Sequence, residues 1–289
     1  MSAAVATAPQ SGAHQKSFVR RVLSQRSAVV GLVIVVFFGL LAIFAPLVAP
    51  YDPTATDWLK VRAAPSDLHW MGTDDLGRDV LSRVIFGAQS SLLAGLIAVV
   101  IAILAGLPLG LIAGYFGGWI DAVISRCTDA LLACPFLVLA IALAAFLGAS
   151  LENAMIAIGI SAMPIFIRLA RGQVLSIKNE DFVTAARGQG MADRSIIVSH
   201  ILPNVVTPVV VQATITMAVA ILAEASLAFL GLGQRPPAAS WGSMLDVARQ
   251  FMTEAPWMSV WPGLAIVTIV LGFNLLGDGL NDALNRQED

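Results

Sequence analysis

The chain has 289 residues, 57% of them hydrophobic and only 12% charged, with a formal net charge of −2 and a mean hydropathy of +0.82. This balance excludes a soluble globular domain and describes a chain made largely for lipid. The near-neutral charge singles out no partner, and no nucleic acid is expected among them.

At the amino-terminal end, Lys16, Arg20, Arg21 and Arg26 precede the uncharged run 28–49. That run exceeds the roughly 7–15 residues of a signal-peptide core and is long enough to cross a bilayer, so it predicts an uncleaved first span. Phe18, Val19, Val22 and Leu23 share one side of a helix before it and predict a short amphipathic segment on the inner surface. Charge-free apolar windows place five further spans within 90–113, 122–147, 153–167, 208–230 and 259–277. Six spans put both termini on one side. With the amino terminus inside, that side collects most of the cations, among them Arg168, Arg171, Lys178, Arg187 and Arg194. The positive-inside rule therefore assigns both termini and the 180–204 segment to the cytoplasm.

Between the first two spans, HWMGTDDLGRDVLSR (69–83) is polar. His69, Asp74, Asp75 and Asp79 lack the spacing of a zinc motif and have no second histidine nearby. An interfacial helix is predicted instead: Thr73 or Asp74 caps it, Asp79 pairs with Arg83, and Leu76, Val80 and Val84 form its apolar stripe. The second span carries small residues every fourth position, Ala94, Ala98, Ala102, Gly106, Gly110 and Gly114. Such a strip predicts a close seam with a neighbouring span or a partner subunit. Pro108, Pro135 and Pro164 are expected to kink their helices. Cys127 and Cys134 lie in one predicted helix, about 10.5 Å apart along its axis, too far for a disulfide. Asp129 is expected to pair with Arg126.

The segment EDFVTAARGQGMADRSIIVSHILPN (180–204) predicts helix, glycine turn, helix. Asn179 is the expected N-cap, with Glu180 and Asp181 in the first turn and Arg187 in the last. Gly188 and Gly190 break the first helix. Asp193 caps a second, which carries Ile196, Ile197, His200 and Ile201 along one side and stops at Pro203. With one face free, the segment has the form of a docking element for a soluble partner.

Three polar features remain. Glu224 within the fifth span lines a pathway or ties two helices. Gln212, Thr214 and Thr216 face a hydrated path or bond between helices. His200 packs within its loop or senses pH. No P-loop exists, because Lys16, Lys60 and Lys178 follow Gln, Leu and Ile rather than glycine. The chain is therefore expected to be no ATPase, and no other catalytic or metal site is expected in it.

The 180–204 segment resembles the cytoplasmic coupling loop of ATP-binding-cassette importer permeases, E-A-A-x-x-x-G-x9-I-x-L-P. Ala185, Ala186, Gly190, Leu202 and Pro203 fall in register, while Thr184 stands where the family has Glu and His200 where it has Ile. GTDDLGRDVLSR with Gly87 and Ser91, EASLAFLGLGQRPPAASWGSML (224–245) and FNLLGDGLNDAL resemble one branch of that family. This branch holds the second ("C") permease subunits of dipeptide, oligopeptide, nickel and glutathione importers, and the resemblance covers nearly all of 49–284.

The resemblance implies an all-α, six-span type I importer permease in a bacterial inner membrane. It implies a cytoplasmic segment 1–27, a transmembrane domain 28–289, an outer loop 50–87 and a coupling loop at about 171–203. Partners implied are a related "B" permease, two ATPases that hold ATP and Mg, and an outer substrate-binding protein. Glu180, Asp181, Phe182, Thr184, Ala185, Ala186, Arg187, Gly190, His200, Leu202 and Pro203 are the expected ATPase-coupling residues. Gln212, Thr216 and Glu224 are expected at the pathway, and His69, Asp74, Asp79, Pro236 and Trp241 at the outer docking face. Peptides are the expected cargo, with nickel chelates, glutathione or another small solute as alternatives. An ion-coupled secondary transporter is the competing class, which would need more intramembrane carboxylates than Glu224.

Overall fold

The computed structural model describes Val22 and residues 24–285. The amphipathic segment expected around Phe18, apart from Val22, lies outside them, as does Arg286. Among the described residues the long helices are α1 Arg26–Ile43, α3 Val80–Phe116, α6 Leu151–Ile177, α9 Leu202–Phe229 and α11 Trp257–Asn285. Shorter ones are α2 Ala45–Val48, α4 Gly118–Leu132, α5 Phe136–Leu147, α7 Asp181–Gly188, α8 Asp193–Ile196 and α10 Trp241–Ala248. No strand is present among these residues, only one isolated bridge between Thr73 and Asp79.

Five helical runs are long and apolar enough to cross a membrane, and α4 with α5 makes a sixth if the bent pair is one span. That pair turns by 89° between Leu132 and Phe136, where Pro135 disfavours helical geometry at Cys134 before it. The third span is thus broken into two helices at Pro135, where a kink within one helix is expected over 122–147. Cys127 and Cys134 consequently do not share a helix, and both are free. Pro108 and Pro164, by contrast, sit inside unbroken helices.

Two glycine seams hold the long helices together. Every small residue of the α3 strip is buried, and its partner is α6. A β-carbon on Gly106 would lie 2.7 Å from the Met163 carbonyl oxygen, one on Gly110 2.5 Å from that of Ile167, and one on Gly114 2.7 Å from Val174 Cβ. From the other side, one on Gly159 would meet Ile101 Cβ at 2.8 Å. The second seam joins α1 to α11, where a β-carbon on Gly31 would stand 2.5 Å from the Leu276 nitrogen. In lipid no hydrophobic effect drives helices together, so close backbone approach supplies the dispersion that does.

Pro203 does not end a helix. Residues 193–229 run as one 37-residue span, with a π-helical turn at Ile197–Ile201 just before Pro203 in the first turn of α9. Proline gives no N–H and crowds the carbonyl four residues back, and the wider turn accommodates both defects.

Residues 50–79 form a polar cap over one end of the bundle rather than an interfacial helix. Regular helix begins only at Val80, because the Asp79 carboxylate accepts from the Ser82 N–H and caps α3. Asp79 therefore does not pair with Arg83. It accepts from His69 Nδ1 at 2.9 Å, while Arg83 reaches Asp74 at 3.3 Å and donates to the carbonyls of Pro53 and Pro237. Asp74 is chelated by Arg78 Nε at 2.6 Å. At the cap's edge, the Thr54 hydroxyl and N–H bond to the Asp52 carboxyl and hold it below the usual carboxylate range.

Loss of the Asp79 side chain removes a cap worth about 0.5–2 kcal/mol and leaves buried His69 unpaired. Asp79→Ala is expected to speed tryptic cleavage at Lys60 and Arg62 several-fold, read by gel against time, while the spans stay protected. Unchanged cleavage would place the cap's stability elsewhere.

Candidate functional site

At the opposite end of the bundle, α6 gives way to the segment expected to dock a partner. Glu180, not Asn179, holds the cap position of α7, and it does so without a side-chain hydrogen bond. The helix closes as a Schellman turn: the Gly190 N–H donates to the Arg187 carbonyl and the Met191 N–H to that of Ala186. Gly190 has φ +77, which only glycine adopts without penalty. Gly188, expected to break the helix, is its last residue.

Burial divides α7 into two faces. Val183 and Ala186 are buried against the bundle, while Glu180, Asp181, Phe182, Thr184, Ala185 and Arg187 are exposed. An exposed apolar ring, Phe182 at 45%, beside a bare alanine makes a small, low surface. Of the two alanines that match the coupling pattern, Ala185 alone lies on that surface. Ala186 serves as an anchor. Ile196 and Ile201 pack fully inside, His200 and Leu202 are half-buried, and Pro203 is exposed.

One functional candidate was not singled out from the sequence. Tyr115, near the end of α3, is 8% exposed. Its hydroxyl donates to Asp193 at 2.5 Å, and the Arg187 guanidinium lies over its ring at 5.6 Å. Lys178 Nζ donates to the Gly114 carbonyl beside it. Nothing local in the sequence marks Tyr115, because its partners lie far along the chain.

The outer-docking set fares differently. His69, Asp74 and Asp79 are buried within the cap and Trp241 at the start of α10, so none of the four is exposed on this chain. Of that set only Pro236 is exposed. Trp241 is the largest fully buried side chain among the described residues. Its indole N–H donates to the Val84 carbonyl at 2.9 Å, and its ring meets Phe38 edge-on at 5.6 Å.

Glu224 is fully buried between α9, α3 and α10, where it accepts from the Ser91 hydroxyl at 3.0 Å. Ser91 in turn accepts from the Trp241 backbone N–H at 3.3 Å. Glu224 thus ties α9 to α3 through Ser91. Thr216 is likewise buried, and its hydroxyl spends its proton on the Gln212 carbonyl four residues back. Gln212 Nε2 donates to that same hydroxyl. These groups are satisfied within their own helix.

Between α4 and α6, Arg171 grips Asp121 through Nε at 2.5 Å and Nη2 at 2.7 Å. Arg168 binds Asp129 at 2.7 Å, replacing the expected Arg126 pair. Both ion pairs cross from the bent span to α6. No group of three or more His, Cys, Asp or Glu among the described residues is placed to hold a metal.

Residues 106–288 match the family model for the binding-protein-dependent transport system inner membrane component. Residues 16–65 match the N-terminal TM domain of oligopeptide transport permease C. The chain is 49% identical over 266 residues to the dipeptide transport system permease protein DppC of Alkalihalophilus pseudofirmus, covering 92% of this chain and 88% of that one. It is 46% identical over 269 residues to the glutathione transport system permease protein GsiD of Shigella dysenteriae serotype 1, covering 93% and 89%. Its fold matches the inward-facing MetNI methionine ABC transporter with a TM-score of 0.58 at 19% identity, over 70% of this chain and 96% of that one. With an all-helical bundle of five to six spans and these matches over most of its length, the chain belongs to the binding-protein-dependent transport system inner membrane component family, as a permease of ATP-binding-cassette importers.

Proposed function

We propose that this permease carries di- or oligopeptides inward across the bacterial inner membrane, with energy from separate ATPase subunits that dock on α7. The observation that carries this reading is the division of α7: Val183 and Ala186 seat it on the bundle while Phe182, Thr184 and Ala185 face outward. A surface that small and flat fits a groove in a soluble partner. The chain itself contributes no nucleotide-binding motif, so ATP and Mg belong to the partner. The cation bias puts the 180–204 segment and both termini in the cytoplasm and the 50–79 cap outside. A related permease would complete the translocation pathway, and a substrate-binding protein would deliver cargo to the outer face. ATP-driven closure of the ATPases moves α7, and the paired permeases exchange an inward-facing cavity for an outward-facing one.

Peptide cargo is favoured by the 49% identity to a dipeptide permease. Glutathione, itself a tripeptide, is a second reading from the 46% relative. Reconstitution into vesicles with the co-encoded subunits tests both. ATP-dependent accumulation of a labelled dipeptide, absent without the ATPases, is expected, with labelled glutathione competing weakly. Accumulation without ATPases would replace this reading with a secondary transporter, and preference for glutathione would reverse the order of cargoes.

A further inference from the structure

We propose that Tyr115 is the positioning residue that joins the coupling helix α7 to α3, so that the two move as one body during transport. The inference rests on the coupling reading above and goes beyond it by naming the joint. The side chain sits one residue from the end of a 37-residue helix, where Gly117 and Gly118, both at positive φ, turn the chain away. A buried tyrosine usually finds a partner for its hydroxyl. Here it is 8% exposed and holds two residues at once, Arg187 on its ring face and Asp193 on its hydroxyl. Those residues stand on either side of the turn closed by Gly190. One side chain therefore clasps both arms of the docking segment.

The other attachments of α7 are weak by comparison. Val183 and Ala186 are small, and α7 itself has only eight residues. A force applied to its outer face by an ATPase would tilt or slide it unless something fixes its direction. A hydrogen bond to a carboxylate is about twice as strong as a neutral one and is directional, and the guanidinium–ring contact resists sliding.

What lies behind the joint makes the fastening consequential. α3 is about 55 Å long at 1.5 Å per residue, and the seam from Gly106 to Gly114 binds it to α6. Lys178 at the end of α6 bonds to Gly114. At the far end, α3 accepts the Trp241 indole N–H at Val84 and its backbone N–H at Ser91, which places α10 and buried Glu224 under its control. Movement of α7 that reaches Tyr115 is thus carried to the opposite face of the bundle. A space-filling ring would account for the burial but would need no hydroxyl.

Two measurements on the full assembled complex test the joint. First, spin labels at Leu104→Cys on α3 and Gln189→Cys beside α7, with Cys127 and Cys134 replaced by serine, report the distance between the two helices. The expected result is one narrow distribution, the same with and without ATP and vanadate, that broadens in Tyr115→Phe. A nucleotide-driven shift with Tyr115 intact would overturn the proposal. Second, Tyr115→Phe is expected to keep its ATPases and its hydrolysis rate while ATP-driven dipeptide uptake falls about tenfold, the worth of one charge-assisted hydrogen bond. Asp193→Ala should match it, and the double variant should be no worse than either. Wild-type uptake in either single variant, or additive losses, would overturn the joint. Failure of the coupling reading shows separately, as an Ala185→Arg variant that still retains its ATPases.

Discussion

Ala185→Arg is expected to abolish ATP-driven uptake by breaking the contact with the ATPases while leaving the membrane bundle intact. The position is exposed on α7, next to the buried anchor Ala186 and two residues from Val183. The arginine therefore disturbs nothing inside this chain. In a closed interface it would be a guanidinium without a partner. An uncompensated buried charge costs about 3–5 kcal/mol, which is at least roughly 100-fold in association. Co-purification of the tagged permease with its ATPases reads the effect directly, with unchanged permease yield as the control. Thr184→Arg, on the same face, should behave alike. Retention of the ATPases in both variants would remove α7 from the interface and leave the segment as scaffolding.

The second large effect is expected at Gly110. Its β-carbon site lies 2.5 Å from the Ile167 carbonyl oxygen and 2.7 Å from Ala170 Cβ, well inside ordinary contact. Those atoms are backbone and a bare methyl, so neither can swing aside. Gly110→Val forces α3 away from α6 and opens the seam at Gly106 and Gly114 as well. Overpacking alone costs about 1–3 kcal/mol, and the lost dispersion on both sides adds to it. Thermal melts in detergent should show a clear drop, with little protein surviving in the membrane. Gly172→Ala supplies the contrast. It lies on α6 with no atom within 4 Å of its β-carbon site, so the gain in helix propensity, about 0.5–1 kcal/mol, should leave stability unchanged or raised. Equal damage from both would show that the seam does not hold the bundle.

The two predictions depend on different kinds of information. The helix–turn–helix of 180–204 was legible in the sequence because its signals are local: acidic residues before, a basic residue after, and a glycine where the chain must turn. The same holds for the apolar windows that became spans and for the small-residue strip, whose period of four can only be one face of a helix. Pro135 marked the break in the third span, though not its size. Pro203 misled, because a proline reads as a stop while the π-helical turn that absorbs it leaves no mark of its own.

What the residues determined by themselves was a membrane bundle with a helix–turn–helix segment at one end, since hydropathy, period and turn chemistry act between neighbours along the chain. Which groups meet was decided only by tertiary structure. Asp79 reads as a partner for Arg83 four residues on, yet it caps α3 and takes His69, leaving Arg83 to Asp74 and to carbonyls at Pro53 and Pro237. The resemblance implies an outer docking face at His69, Asp74 and Asp79, but a charge whose hydrogen bonds are supplied from elsewhere in the fold can be buried. Glu224 on α9 takes its hydrogen bond from Ser91 on α3, 133 residues away along the chain. Tyr115 could not be read at all, because Arg187 and Asp193 reach it only after α3, α6 and the docking segment have packed. Local order follows from steric and solvation rules that each residue carries with it. Pairing across 70 or more residues is selected by the competition among all buried polar groups for partners, and that is settled only when the helices come together.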